Sequence, residues 1–277
     1  IYLMGSLHLC KKEIYPLDQA ITQAYEESKF LALEADPSPE KMMPIVQKFI
    51  MENGLYMDGT SIKDHISEEA YKKVEPFFKD RGMSMDQMGK MRPWLLSLQI
   101  QSMEAMKLGL DPDAGLDNYF LNRSKKEGKE LKEMESATLQ LEMFRSFSDE
   151  LQELALVNTL DEVADMEGRF KKMESAWITG NPKAMNDVLE EELKKEPGLK
   201  PYYAKLFDDR NVGMAAKIEE YLATGEIHFV IAGSGHIPGE KGILNLLKAK
   251  KSKSYKIEQL KALGKPEPIE VAVPAER

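Results

Sequence analysis

Ile227-His228-Phe229-Val230-Ile231-Ala232-Gly233-Ser234-Gly235-His236 is an apolar run of strand length that passes straight into a glycine-rich turn and delivers a histidine. Branched and aromatic side chains bounded by Gly225 and Gly233 predict a buried strand over 227–232. Helical spacing precedes it from Val212 to Ala223, stopped by Gly225, and a further helix is expected from Gly242 to Lys250. Strand flanked by helix on both sides is the signature of an α/β layer structure.

The same arrangement recurs at the other end of the chain. Ile1 to Met4 is a short apolar run that stops at Gly5-Ser6-Leu7-His8. Beyond Pro16, Leu17, Ala20, Ile21, Ala24 and Tyr25 keep a helical period up to Ser28, and Phe30 to Leu33 follows as a second buried strand closed by Glu34, Ala35 and Asp36. Between the two ends the chain is mostly helical over 40–110, with starts expected at Ser38-Pro39, at Ser67 and at Ser84, where Gln87 completes a capping box. Gly109 to Gly115 is turn-rich. A helix from Leu116 to about Lys126, with Asp117 and Asn118 as its caps, ends at Gly128, and Glu130 to Met134 reads as a strand closing at Glu135. Helix returns from Ala137 to about Leu193, with Thr159 and Glu162 expected as a capping box and Asn181-Pro182 as another start. A last strand is expected near Tyr255 to Leu260.

This pattern predicts an α/β fold, rich in helix, with a small central, mostly parallel sheet and large helical insertions. One domain over 1–260 takes its sheet core from about 1–36, 115–136 and 201–260 and its insertions from about 40–110 and 137–200. Residues 261–277, with Pro266, Pro268 and Pro274, are expected to be an extended tail.

Composition excludes several function classes. A net charge of -9 argues against a nucleic-acid partner, since phosphate binding needs concentrated Lys and Arg. No apolar run approaches the roughly 20 residues of a membrane helix. Cys10 is the only cysteine, so an internal disulfide and a cysteine-based zinc cluster are both excluded, and Cys10 itself reads as an inert thiol. The chain opens at Ile1 inside an expected strand, which predicts a leader that has been cut or left out. There is no His-Glu-x-x-His, no Gly-x-Ser-x-Gly and no phosphate-loop pattern.

Four expected strands end in or just before His8, Glu34, Glu135 and His236. Ligands of open α/β sheets gather at the carboxyl ends of strands, so these four side chains are expected to converge. Gly5, Gly233 and Gly235 are read as permitting a sharp turn and a close approach of backbone or ligand. Two neutral imidazoles and one or two carboxylates form a plausible open site for zinc, manganese, cobalt or iron, with water in the remaining position and a second carboxylate as general base. Arg210 with Asn211 reads either as a pair that orients an anion or a carboxylate ligand or as a helix-start salt bridge. His65 reads as a surface residue, and His228 as the start of its strand.

Tyr2-Leu3-Met4-Gly5-Ser6-Leu7-His8, Tyr15-Pro16-Leu17, Leu33-Glu34-Ala35-Asp36, Gly115-Leu116-Asp117 with Phe120-Leu121, Gly128-Lys129 through Met134-Glu135-Ser136, Arg210-Asn211 and Phe229 to Gly239 occur in this order along nearly the whole chain. Together they resemble the TraB/GumN family, which also includes the Tiki proteins. The resemblance implies an α/β core related to erythromycin-esterase-like and ChaN-like proteins. It implies an active site of the two Gly-x-x-His elements and a glutamate, which carries over to His8, Glu34 and His236 first and to Glu135 and Arg210 next. In the Tiki branch it implies peptide cleavage dependent on manganese or cobalt. In the bacterial GumN-like branch it implies an extracytoplasmic protein with a signal peptide or lipid anchor. Three readings stay open: a metal-dependent peptide hydrolase, a non-catalytic protein that sequesters a peptide or signal, and a metal-free esterase-like hydrolase.

Overall fold

Side chains alternate across a strand, and along the two central strands that alternation divides the apolar residues between two helical layers. The computed structural model describes residues 1–250 and 255–265. Strands β1 (Tyr2–Ser6), β2 (Phe30–Leu33), β3 (Glu130–Glu133) and β4 (His228–Gly233) form one sheet in the order β1-β4-β2-β3. Every pairing is parallel. The register sets Ser6 beside Gly233 and Ala32 beside Val230, so the carboxyl ends of β1, β4 and β2 lie together. β4 is buried throughout and central, whereas Glu130-Leu131-Lys132-Glu133 is polar enough to serve as an edge.

The helices are α1 (Gln19–Glu27), α2 (Pro39–Asn53), α3 (Glu68–Lys79), α4 (Met85–Met88), α5 (Pro93–Lys107), α6 (Leu116–Glu127) and α7 (Ala137–Arg145). They continue with α8 (Asp149–Val163), α9 (Met166–Ile178), α10 (Pro182–Lys195), α11 (Lys200–Tyr203), α12 (Asp209–Ala223) and α13 (Ile243–Lys248). On one face of the sheet Leu31, Leu33, Phe229 and Ile231 pack with Tyr25 of α1 and Phe120 of α6. On the other, Ala32, Val230 and Ala232 meet Met214 and Ile218 of α12 and Ile243 of α13. A separate core joins the helices of the insertions, with Val74, Phe78, Leu96, Ile100 and Leu156 at its centre.

Several expectations are corrected. β1 does not stop at Gly5 but runs through it to Ser6, because its pairing with β4 continues through Gly5 opposite Ala232 and Ser6 opposite Gly233, and Ser234 packs so closely there that a Cβ on Gly5 would lie 3.0 Å from its Oγ. Thr159 caps nothing: it lies inside α8 and its hydroxyl donates to the Ala155 carbonyl at 2.9 Å, as an interior threonine does. Ser84 does cap α4, through the Asp86 N–H, but the reciprocal bond from Gln87 is not formed. Tyr255 to Leu260 is not a strand. Tyr255 and Ile257 pack against the α12–α13 side of the core with no backbone partner in the sheet. Residues 261–265 carry no helix or strand, and Leu263 and Gly264 donate backbone N–H groups to the Asp18 carboxylate at 3.0 and 2.7 Å. Pro266, Pro268 and Pro274 lie outside the described residues.

His228, at the amino end of β4, is 1% exposed, and its ring stacks against Phe30 and Tyr221, each at 4.7 Å. Burial pushes its pKa below the ordinary 6.5, against a hydrogen bond to the Glu226 carbonyl and aided by nearby Lys132. The unfolded chain therefore binds a proton that the folded one refuses, so this contribution to stability is whole above the ordinary imidazole pKa and is lost as pH falls below it. Urea unfolding is expected to show a lower midpoint at about pH 5.5 than at about pH 7.5, with the difference reduced in His228→Phe. An unchanged difference in the variant would remove His228 from the account.

Candidate active site

The residue after β2 is Glu34, and it is the centre of the carboxyl edge of the sheet. Its Oε1 accepts the N–H of Gly233 at 2.6 Å, at the point where β4 ends. Its Oε2 accepts from Arg210 Nη2, which also donates to Glu135. Arg210 Nε adds bonds to both Glu135 oxygens at 3.1 and 3.2 Å. Gln140 of α7 donates to Glu135 Oε1 at 2.8 Å. Burial works against the charge on Glu34, but His236, His8, Arg210 and the Gly233 N–H outweigh it and hold the carboxyl below its ordinary pKa. Removing one partner from such a buried set leaves an uncompensated charge and typically costs about 3–5 kcal/mol.

The two histidines are held from behind by different groups. His8 Nδ1 lies 2.7 Å from Asp117 Oδ2, and the Ser6 hydroxyl donates to the same oxygen. Desolvation would lower the His8 pKa, but the side chain is itself more than half exposed, so the charge and hydrogen bond of Asp117 prevail and raise it to about 9. His236 Nδ1 lies 2.6 Å from Asn211 Oδ1, while Asn211 Nδ2 donates to the Lys241 carbonyl at 2.9 Å. That second bond identifies Oδ1 as an acceptor, so His236 carries its proton on Nδ1 and leaves an Nε2 lone pair. Burial and the nearby positive charges, against Glu34, bring the His236 pKa down to about 4, so the imidazole is neutral at pH 7. Its Nε2 faces Glu34 Oε1 at 3.7 Å, lone pair toward lone pair.

Local structure explains these positions. Gly115 is where the chain after His8 meets the start of α6: the Leu116 N–H donates to the Leu7 carbonyl at 3.1 Å, and a Cβ on Gly115 would lie 2.2 Å from the His8 carbonyl oxygen. That contact sets Asp117 beside His8. Gly233 keeps open the space among the functional side chains, since its Cβ would lie 2.9 Å from His8 Nε2, 3.3 Å from Glu34 Oε1 and 3.4 Å from His236 Cδ2. Gly235 makes room for Phe207, whose ring would be 2.7 Å from a Cβ there and lies 5.1 Å from the His236 ring. None of Gly5, Gly233 and Gly235 has a positive φ, so close approach, and not an unusual turn, requires glycine at these positions. Arg210 and Asn211 lie in the first turn of α12, which begins at Asp209 and continues from a π-helical turn over Ala204–Asp208, whereas the sequence suggested that they precede the helix. Rings continue from Phe207 to Tyr203 at 5.8 Å, then to Tyr202 and Phe147.

The structure thus brings His8, Glu34, Glu135, Arg210, Asn211 and His236 to one sheet edge. It leaves out His228, at the opposite end of β4, and His65, which stacks on Tyr56 at 4.2 Å. Cys10 is fully buried, and burial first, with Glu174 and Asp117, pushes its thiol up to about 12, which keeps it protonated. Sequence reasoning took Asp117 for a helix cap and passed over Ser6, Gln140 and Phe207. The Gly115-Leu116-Asp117 block was the available signal for Asp117, because a glycine at a helix start allows the close approach that carries the acid to the strand end.

Among the described residues no group of three or more His, Cys, Asp or Glu side chains is placed so that it could hold a metal ion. The donor set nevertheless suits a divalent ion in kind: two imidazoles each fixed through Nδ1 by an oxygen, as is usual behind metal-bound histidines, and a carboxylate oxygen facing His236. The 3.7 Å between His236 Nε2 and Glu34 Oε1 is close to the separation of two ligands on one ion at about 2.1 Å from each.

A model of the TraB/PrgY/gumN family matches residues 1–258, and the chain belongs to that family. It is 23% identical over 248 residues to a protein of Escherichia coli (strain K12) named Uncharacterized protein YbaP, a match that covers 86% of each chain. The protein of that name from Shigella flexneri matches to the same extent. No solved structure matches the chain.

Replacing Gly233 by Ala forces a methyl group among His8, Glu34 and His236 and is expected to destabilise by about 1–3 kcal/mol in urea titrations, with shifted imidazole resonances for both histidines. The control is Gly213→Ala on α12, where a Cβ meets nothing within 4 Å. There a gain of about 0.4–1 kcal/mol is expected.

Proposed function

We propose that the chain is a hydrolase that activates water at the edge formed by His8, Glu34 and His236, with a divalent ion among manganese, cobalt and zinc as cofactor and a peptide as substrate. The observation that carries this reading is the pair of imidazoles anchored through Nδ1, by Asp117 and by Asn211, about the space that Gly233 leaves beside Glu34. His8, His236 and Glu34 would hold the ion, which supplies Lewis acidity that acidifies water and polarises a carbonyl.

The remaining steps belong to the chain's own residues. Asn211 keeps the His236 proton on Nδ1 and thereby keeps Nε2 free. Asp117 fixes the ring of His8 and stabilises its doubly protonated form, which would give up one proton for Nε2 to hold an ion. Arg210 neutralises Glu34 and Glu135 together and prevents two buried carboxylates from repelling each other out of position. Phe207 covers the ring of His236 and keeps bulk water from that side.

The free Nε2 of neutral His236 also favours a second reading, in which a histidine as general base activates water without a metal. Calorimetric titration with manganese, cobalt and zinc, beside peptide hydrolysis, separates the two. Under the first reading one ion binds per chain, its affinity falls about 100-fold or more in His8→Ala with His236→Ala, and turnover stops on chelation and in Glu34→Gln. An affinity unchanged in the double variant would overturn it, and full turnover after exhaustive chelation would establish the second. Tight peptide binding with no turnover under any condition would defeat both in favour of a sequestering protein.

A further inference from the structure

Helices α2, α5, α7 and α8 of the insertions carry residues around a cavity of about 240 Å³, lined by Glu52, Asn53, Arg92, Trp94, Arg145 and Gln152. None of these belongs to the sheet edge. Two polar atoms of the lining are buried without a hydrogen-bond partner: Arg92 Nε and Gln152 Oε1. Gln152 is 5% exposed, and its Nε2 already donates to the Phe147 carbonyl at 2.9 Å, so Oε1 is an acceptor with nothing to accept. The Arg92 guanidinium meets the Tyr56 ring at 4.9 Å and, among the described residues, has no carboxylate partner. Buried polar groups are nearly always satisfied, and exceptions call for an explanation such as a ligand.

The two deficits are complementary. A planar cation wants a carboxylate, and an orphan amide oxygen wants an N–H or N–H₃⁺ donor. We propose that this cavity binds an α-carboxylate together with its adjacent nitrogen, the carboxylate on Arg92 and the N–H on Gln152 Oε1, after small side-chain rotations that turn both atoms to the ligand. A free amino acid and the carboxyl-terminal residue of a peptide share this chemistry. Glu52, whose nearest cation, Lys48, is 4.0 Å away, would add a charge partner for the ammonium of the former. The cavity lies below the roughly 300–1,000 Å³ of pockets for drug-sized ligands, which fits a single amino-acid unit. Trp94, 4% exposed, supplies an apolar wall for its side chain. Trp94 also stacks on Phe144 at 5.9 Å, and Phe144 meets Phe147, which joins the cavity to the row of rings that ends at His236.

The proposal does not depend on hydrolysis at the sheet edge, and its test does not read turnover. The full chain is treated with phenylglyoxal alone or with leucine, N-acetylleucine or N-acetylleucinamide, and modification of Arg92 and Arg210 is mapped by mass spectrometry. At least one of the two acids is expected to slow modification of Arg92 several-fold while Arg210 reacts at its usual rate, and the amide is expected to give no protection. Protection by leucine alone identifies a free amino acid as the ligand, and protection by N-acetylleucine identifies a peptide terminus. Calorimetry of the protecting acid should show at least tenfold weaker binding to Arg92→Gln; if that variant does not fold, the protection data on the unaltered chain decide. Equal protection by the amide, protection by none of the three, or unchanged binding to a folded Arg92→Gln protein would overturn the proposal.

Discussion

Glu34 is the group on which the carboxyl edge of the sheet depends. Its two oxygens accept from the end of β4 and from Arg210 on α12, so one buried carboxylate ties the strand on one side to a helix that covers the other face. A charge of this kind persists away from water only when its lone pairs are filled by donors, and the fold arranges those donors with little freedom to spare. Arg210 in turn is shared with Glu135 at the end of β3, so three of the four strands meet through a single guanidinium and its partners. The site is built where the sheet is fastened.

The difference between the two histidines follows from what stands behind each. A carboxylate behind His8 favours the doubly protonated ring, whereas an amide oxygen behind His236 fixes a tautomer without adding charge. Burial then acts against the proton on His236, and an electron-pair donor results beside a ring that keeps its second proton. Two chemically identical side chains in matching Gly-x-x-His elements acquire different protonation states by this route.

Much of this was legible in the chain. The apolar run at 227–232 and the shorter ones at the start announced the central strands, because full burial demands continuous apolar character. Glycine followed by histidine at two strand ends, with acids ending two others, pointed to one edge, because parallel strands bring their carboxyl ends to the same side. The stretch Tyr255 to Leu260 and Asp117 were misread for a shared reason. Each has a local pattern that fits a strand or a cap, and each is decided by a contact with residues far away in sequence.

The sequence by itself determined the α/β class, the strands that carry the site, and the identity of His8, Glu34, Glu135, Arg210 and His236 as the residues to watch, since those depend on local periodicity and on chain direction. Only the tertiary structure decided that Gly233 is small to leave space and not to turn, that Asp117 and Asn211 stand behind the imidazoles, and that Arg92 and Gln152 share a cavity. Those are relations between atoms that no local pattern encodes, because hydrogen bonds and close packing are set by distances in space and not by separation along the chain.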